Sequence, residues 1–206
     1  LQVTEDLGSR WELLNVTMKI YSGAGFVQPI IEGCAQLARE YDIIPEDIRS
    51  IDIEMNEWET IYPSPRFPRP GKKGTDEWDN AHFAAEALIG RGYPSTGRRL
   101  SYGGRDEIEE SSLVKTLSRL VHVTAGDRPQ YGPVILISLK NGQRFRTEMT
   151  GDEFKWDLQT ECDRIQSVYS ALPFNREHAE RIVDAVRNIE SLESVDRFLD
   201  LVTTRA

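Results

Sequence analysis

The run Lys19-Ile20-Tyr21-Ser22-Gly23-Ala24-Gly25-Phe26-Val27-Gln28-Pro29 sets one cation and two glycines directly ahead of an apolar-periodic helix. A helix N-terminus presents unpaired backbone N–H groups and the positive end of a dipole, so such a place suits an anion. Gly23 and Gly25 would let the backbone approach a ligand closely. No Walker or dinucleotide pattern accompanies the glycines, so the competing reading is an ordinary turn into a helix. Lys19 can act as an anion ligand or as a proton-transfer group; the plain alternative is a solvated side chain. Tyr21 offers a phenol that can donate a hydrogen bond or fill a core. Gln28 stands where it can cap the helix or meet a ligand. His82 lies in an alanine-rich stretch and is the residue type suited to acid–base work near neutral pH; the alternative is a structural histidine. His122 and His178 carry no assigned role.

The elements that must hold these residues follow from periodicity. Ile30, Ile31, Cys34, Leu37, Ala38 and Tyr41 recur at helical spacing after Pro29, which predicts a helix over 27–41. A Pro45-Glu46-Asp47 turn precedes a strand in which Ile51, Ile53 and Met55 alternate. Pro63, Pro65, Pro68 and Pro70 then rule out helix and central strand. Helices are expected over 78–89 and 108–117, and strands over 121–124, 134–139 and 144–149. Lys140-Asn141-Gly142 signals a hairpin between the last two strands. A long helix is expected over 152–171, followed by helices near 176–189 and 194–202 with Asn175 and Ser194 as N-caps. The sum is an α+β fold: a small sheet of about four strands, containing an antiparallel pair, packed with five or six helices in one domain spanning 1–206.

Bulk properties narrow the function. A hydrophobic fraction of 39% can build a core, so the chain is not a disordered tail. The net charge of -9 argues against a nucleic-acid binder. Eight cations stand against four acids between Tyr62 and Arg105, a formal +4, leaving -13 for the remainder. These basic loops are either a local anion site or solvated charge. In the first case Arg66 and Arg98 are candidate carboxylate ligands, because a guanidinium can pair bidentately. Cys34 and Cys162 read as buried thiols in a reducing compartment, with a disulfide as the alternative. Three scattered histidines without a Cys/His cluster predict no metal site. No apolar run reaches the roughly 20 residues of a membrane span, and residues 1–6 are unlike a signal peptide, so a cytoplasmic location is expected. The absence of an initiator Met suggests a processed or excised chain.

Taken in order, these motifs resemble a known family. Lys19-Ile20-Tyr21-Ser22 and Gln28-Pro29 occupy the places of a Lys-Pro-Tyr-Pro-like segment and a His-Pro helix entry. The Pro-Glu-Asp-Ile turn with its strand, the Asn-Gly hairpin, the Thr-Gly-Asp turn and the closing Ala185–Glu190 segment follow in the same order. The chain resembles the second, smaller domain of the MmgE/PrpD family, which includes 2-methylcitrate dehydratases, cis-aconitate decarboxylases and an iminodisuccinate epimerase. The resemblance implies a lid domain that closes over a larger all-helical N-terminal domain, absent here, with the active site between them. It also implies a homodimer at full length, a small polycarboxylate substrate and no cofactor. Lys19 matches the lid lysine that faces substrate, Tyr21 matches the aromatic of the same motif, and His82 replaces a family tyrosine in one alignment. Ser22, Gly23, Ala24 and Gln28 depart from the pattern, which leaves the substrate open. The rival expectation is a non-catalytic small-anion-binding or assembly domain of the same fold.

Overall fold

The computed structural model describes residues 8–9, 16, 19, 25–61, 80–92, 112–166, 169 and 175–203. The chain divides into two compact units, Leu1–Lys155 and Trp156–Ala206. Among the described residues it forms seven α-helices and one four-stranded mixed sheet, an α+β arrangement.

The first unit is built around strand β1 (Ile48–Asn56). Ile51, Ile53 and Met55 are fully buried, while Asp52 and Glu54 point to the opposite face. This is the two-residue period expected of a half-covered strand. β1 is paired on both sides: parallel to β2 (Val121–Gly126) and antiparallel to β3 (Val134–Leu139). β3 pairs in turn with β4 (Arg144–Glu148), giving the order β2-β1-β3-β4. The β3–β4 hairpin closes as its sequence predicts. Gly142 takes a φ of 92°, Leu139 and Gln143 close the turn, and Asn141 Oδ1 accepts the Gln143 N–H at 2.9 Å.

Helices cover the apolar face. Helix α1 (Gln28–Glu40) buries Ile30, Ile31, Cys34, Leu37 and Ala38. It lies so close to the sheet that a Cβ at Gly33 would meet Ile135 Cδ1 at 2.7 Å and Thr147 Cγ2 at 3.2 Å. Its far end is fixed by Tyr41, whose ring stacks on Phe145 at 4.4 Å. Helix α3 (Asn80–Gly90) packs between α1 and α4 (Ser112–Ser118) and is apolar nearly all round, as a helix with neighbours on several sides must be. Arg91 joins the ends of α1 and α3: its guanidinium pairs with Asp42 at 2.5 Å and donates to the Ile43 carbonyl at 3.3 Å. Cys34 is a free core thiol, and burial pushes its pKa up to about 12, which makes it inert.

Two stretches differ from the sequence expectation. Helix α2 (Glu57–Ile61) follows β1 directly and has five residues, too few for a periodic signal. It is initiated by Asn56, whose Oδ1 accepts the Trp58 N–H at 3.0 Å. The single helix expected over 152–171 is instead a 3-10 turn, Asp152–Phe154, and a separate α5 (Leu158–Ile165). Gly151 is left-handed, Glu153 folds back onto the Thr150 and Gly151 N–H groups, and Asp157 restarts the helix by accepting the Thr160 N–H at 2.7 Å.

The second unit contains α5, α6 (Arg176–Arg187) and α7 (Val195–Thr203). Asn175 caps α6 as expected, accepting the His178 N–H at 2.9 Å. His178 Nε2 then meets the Leu201 carbonyl at 2.7 Å and ties α6 to α7. Cys162 is buried and unbridged. Among the described residues no helix is long and apolar enough to cross a membrane.

The close seating of α1 makes a test. Gly33→Leu should lower stability by about 1–3 kcal/mol or more through overpacking. Gly90→Ala, where a Cβ meets nothing within 4 Å, should be neutral or stabilise by up to about 1 kcal/mol. Urea denaturation of both variants checks this; equal effects would mean that α1 is not packed flush on the sheet.

Candidate functional site

The carboxyl ends of the parallel pair β1 and β2 form one edge of the sheet, where β3 begins. At parallel-strand carboxyl ends loops rather than strands face solvent, and ligands favour such places. Here the loop before β3, residues 127–133, is held by the end of β1, by α2 and by a bond of its own. Asn56 Nδ2 donates to the Arg128 carbonyl at 2.6 Å. Arg128 Nε donates to the Gly132 carbonyl at 3.0 Å. The Tyr131 N–H donates to Glu59 Oε1 at 2.8 Å. Gly132 is required by this folding, since a Cβ there would lie 2.5 Å from Pro129 Cγ and 2.8 Å from the Met149 carbonyl.

Tyr131 holds φ at 58°, a left-handed backbone that is strained for a bulky residue. Its ring lies against Gly25: a Cβ there would come within 3.1 Å of Tyr131 Cε1 and 3.2 Å of its Oη. Gly25 therefore admits a protein aromatic. It opens a 3-10 turn, Gly25–Val27, that runs into α1, where Gln28 is buried. The N-cap is Val27, which supplies no side-chain cap.

Glu59 is the least expected member of this edge. It is 5% exposed, and its Oε2 has no hydrogen-bond partner. Burial raises its carboxyl above the ordinary value, an effect that the Tyr131 N–H only partly opposes. Among the described residues one other buried side-chain polar atom has no hydrogen-bond partner, Asn80 Oδ1. Asn80 begins α3 at the same sheet edge, where its Nδ2 donates to Met55 Sδ at 3.4 Å. An open groove of about 770 Å³ also lies at this edge, lined by Asn56, Glu57, Trp58, Ala125, Gly126 and Asp127.

The residues singled out by sequence fall as follows. Gly25 and Gln28 lie at the α1 entry, and Gly25 meets the Tyr131 ring, whose backbone N–H is held by Glu59. Lys19 is exposed. His82 sits in the first turn of α3, two residues beyond Asn80, and is 4% exposed. Its Nε2 is 3.4 Å from Glu86 Oε2, one helical turn on, and its ring meets Phe83 edge-on at 5.7 Å. A histidine beside a carboxylate can hold or pass a proton. Tyr21, Gly23, Arg66 and Arg98 lie outside the described residues. Of the eight cations counted between 62 and 105, Arg91 alone is described, and it is engaged by Asp42. Among the described residues no group of three or more His, Cys, Asp or Glu is placed to hold a metal ion.

Sequence reasoning missed Glu59, Asn80 and Tyr131. Glu59 sits between Trp58 and Thr60 in a short acidic segment that reads as solvated surface. Tyr131-Gly132 offered a weak turn signal. No known family model matches this chain, and no curated protein matches it.

Burial of Glu59 has a testable sign. A carboxyl whose pKa is raised on folding contributes stability below its unfolded pKa, and that contribution is lost as pH rises through the folded value. Gln mimics the neutral acid and keeps an oxygen for the Tyr131 N–H. Glu59→Gln should therefore gain stability relative to wild type between about pH 4 and about pH 8. Paired thermal melts read this; a constant difference across that range would mean that Glu59 is not desolvated.

Proposed function

We propose that the chain is the lid domain of a cofactor-independent lyase or isomerase of the MmgE/PrpD type, acting on a small polycarboxylate. The observation that carries this reading is the agreement between motif order and element placement. Gln28-Pro29 opens α1, the Pro45–Asp47 turn feeds β1, Asn141-Gly142 turns the β3–β4 hairpin, and Gly151-Asp152 opens the next turn. Support also comes from the α1 entry and the start of α3, which carry the candidate residues Gln28 and His82 on two helices packed against each other.

In this proposal a base on an N-terminal helical domain removes a proton next to a substrate carboxylate. Negative charge grows on the substrate, and Lys19 together with backbone N–H groups of the 23–28 turn stabilises it. Preorganised donors of this kind supply a large part of such barriers. His82, held beside Glu86, is the candidate proton-transfer group of the lid. Arg66 and Arg98 are proposed carboxylate ligands, and Tyr21 a hydrogen-bond donor to substrate. Closure of the lid excludes water and strengthens these contacts. The working protein is proposed to be a cytoplasmic homodimer assembled through the helical domain.

The test is turnover of the protein joined to such a helical domain, against a panel of tricarboxylates. Lys19→Ala should lower kcat by about 10²–10³. Unchanged turnover would remove Lys19 from the site. Turnover by the 206-residue chain alone would contradict a site divided between two domains. Tight polycarboxylate binding without turnover would favour the anion-binding module.

A further inference from the structure

We propose that the outer edge of β2 pairs antiparallel with β2 of a second copy, joining two four-stranded sheets into one. β2 stands at the end of the sheet order, and among the described residues its one strand neighbour is β1. The parallel register sets Val121 beside Ile51, and the Ile51 N–H donates to the Leu120 carbonyl at 2.9 Å. In a parallel ladder alternate residues of a strand turn their backbone groups to the neighbour. His122 and Thr124 are therefore the residues engaged by β1. The N–H and C=O groups of Val121, Val123 and Ala125 point out from the sheet. This edge is accessible, since His122, Val123, Thr124 and Ala125 are all exposed.

The two edges of the sheet differ in a way that bears on pairing. β4, at the far edge, carries exposed Arg144, Arg146 and Glu148. Charges of this kind keep further strands away. β2, Val-His-Val-Thr-Ala-Gly, contains no Lys, Arg, Asp, Glu or Pro. An accessible, uncharged row of outward backbone groups is a template for another strand.

Charge complementarity selects a second copy as that strand's source. A two-fold axis at Val123 sets Val123 against Val123 and Val121 against Ala125, so every outward residue meets an outward residue. Val123 shares a face with Ile53 and is 37% exposed. Pairing covers it with its own copy, a favourable cross-strand contact between β-branched side chains. The same register brings Arg119, just before β2, to Asp127, just after it, at both ends. Both residues are exposed, and neither takes part in an ion pair among the described residues. A slide of two residues either way leaves one outward residue beyond the paired strand and separates Arg119 from Asp127. One register thus satisfies the backbone and the charges together. The contact is one strand wide, so the dimer is expected to be weak and concentration-dependent. It needs only this chain and does not rest on the dimer proposed above, which forms through a helical domain.

The experiment is sedimentation equilibrium of the 206-residue chain up to about 1 mM, joined to amide hydrogen exchange. A monomer–dimer equilibrium is expected, with exchange at Val121, Val123 and Ala125 slowing as concentration rises. Val123→Pro removes an outward N–H and no bond to β1, so it should abolish the dimer and leave the circular dichroism spectrum unchanged. The second test does not touch the strand. Arg119→Asp and Asp127→Arg should each weaken association by about tenfold, and the double reversal should restore it. A chain that stays monomeric over this range would overturn the proposal, whatever other peptide the edge accepts. So would a dimer that shows no restoration in the double reversal, or one in which those three amides are not protected.

Discussion

Strand β1 must be hydrogen-bonded along both edges and covered on one face at the same time. β2 and β3 occupy its edges, and α1 with α3 cover Ile51, Ile53 and Met55. Each isoleucine so buried contributes roughly 1.5–3 kcal/mol, which makes this strand the anchor of the first unit. Gly33 follows from the same requirement, because α1 can reach the sheet only where a side chain is missing. A strand enclosed in this way cannot present chemistry from its covered face. Its carboxyl end can, and Asn56, α2 and the loop before β3 are gathered there.

Several departures from local rules lie at that end, while two further left-handed residues, Asp42 and Arg91, lie at the opposite ends of α1 and α3. Tyr131 is left-handed, Glu59 Oε2 and Asn80 Oδ1 are buried without partners, and Gly25 accommodates an aromatic ring. A strained residue costs on the order of 1–3 kcal/mol and an unpaired buried polar group a similar amount. Three of these residues are in contact: Glu59 holds the Tyr131 backbone, and Tyr131 packs on Gly25 at the entry to α1. Arg91 with Asp42, at the opposite ends of α1 and α3, shows the contrasting case of a charge engaged in holding two helices together.

The sequence made the elements of the sheet legible because their signals are local. The alternation of Ile51, Ile53 and Met55 defines β1, and Asn141-Gly142 defines the hairpin. The apolar stripe of α1 and the Asn175 cap were equally direct. Helix α2 escaped because five residues cannot display a helical period. The break at Lys155–Asp157 escaped because it depends on Glu153 turning back and Asp157 capping anew, which are contacts rather than patterns. At the candidate site, the Gly25–Gln28 entry was visible from composition. Glu59 was not, since a carboxylate declares itself buried only when the chain that covers it is in place. Tyr131 likewise acquires meaning from Gly25, more than a hundred residues away in sequence.

The central claim is that the carboxyl edge of β1 holds a desolvated carboxyl coupled to the Tyr131 backbone. Carbon-13 NMR titration of the Glu59 side chain, followed together with the Tyr131 amide, tests it most directly. The account predicts a carboxyl that titrates above the ordinary glutamate value of about 4.3, with the Tyr131 amide shifting in step. A carboxyl titrating at or below that value, with a Tyr131 amide that does not respond, would contradict it.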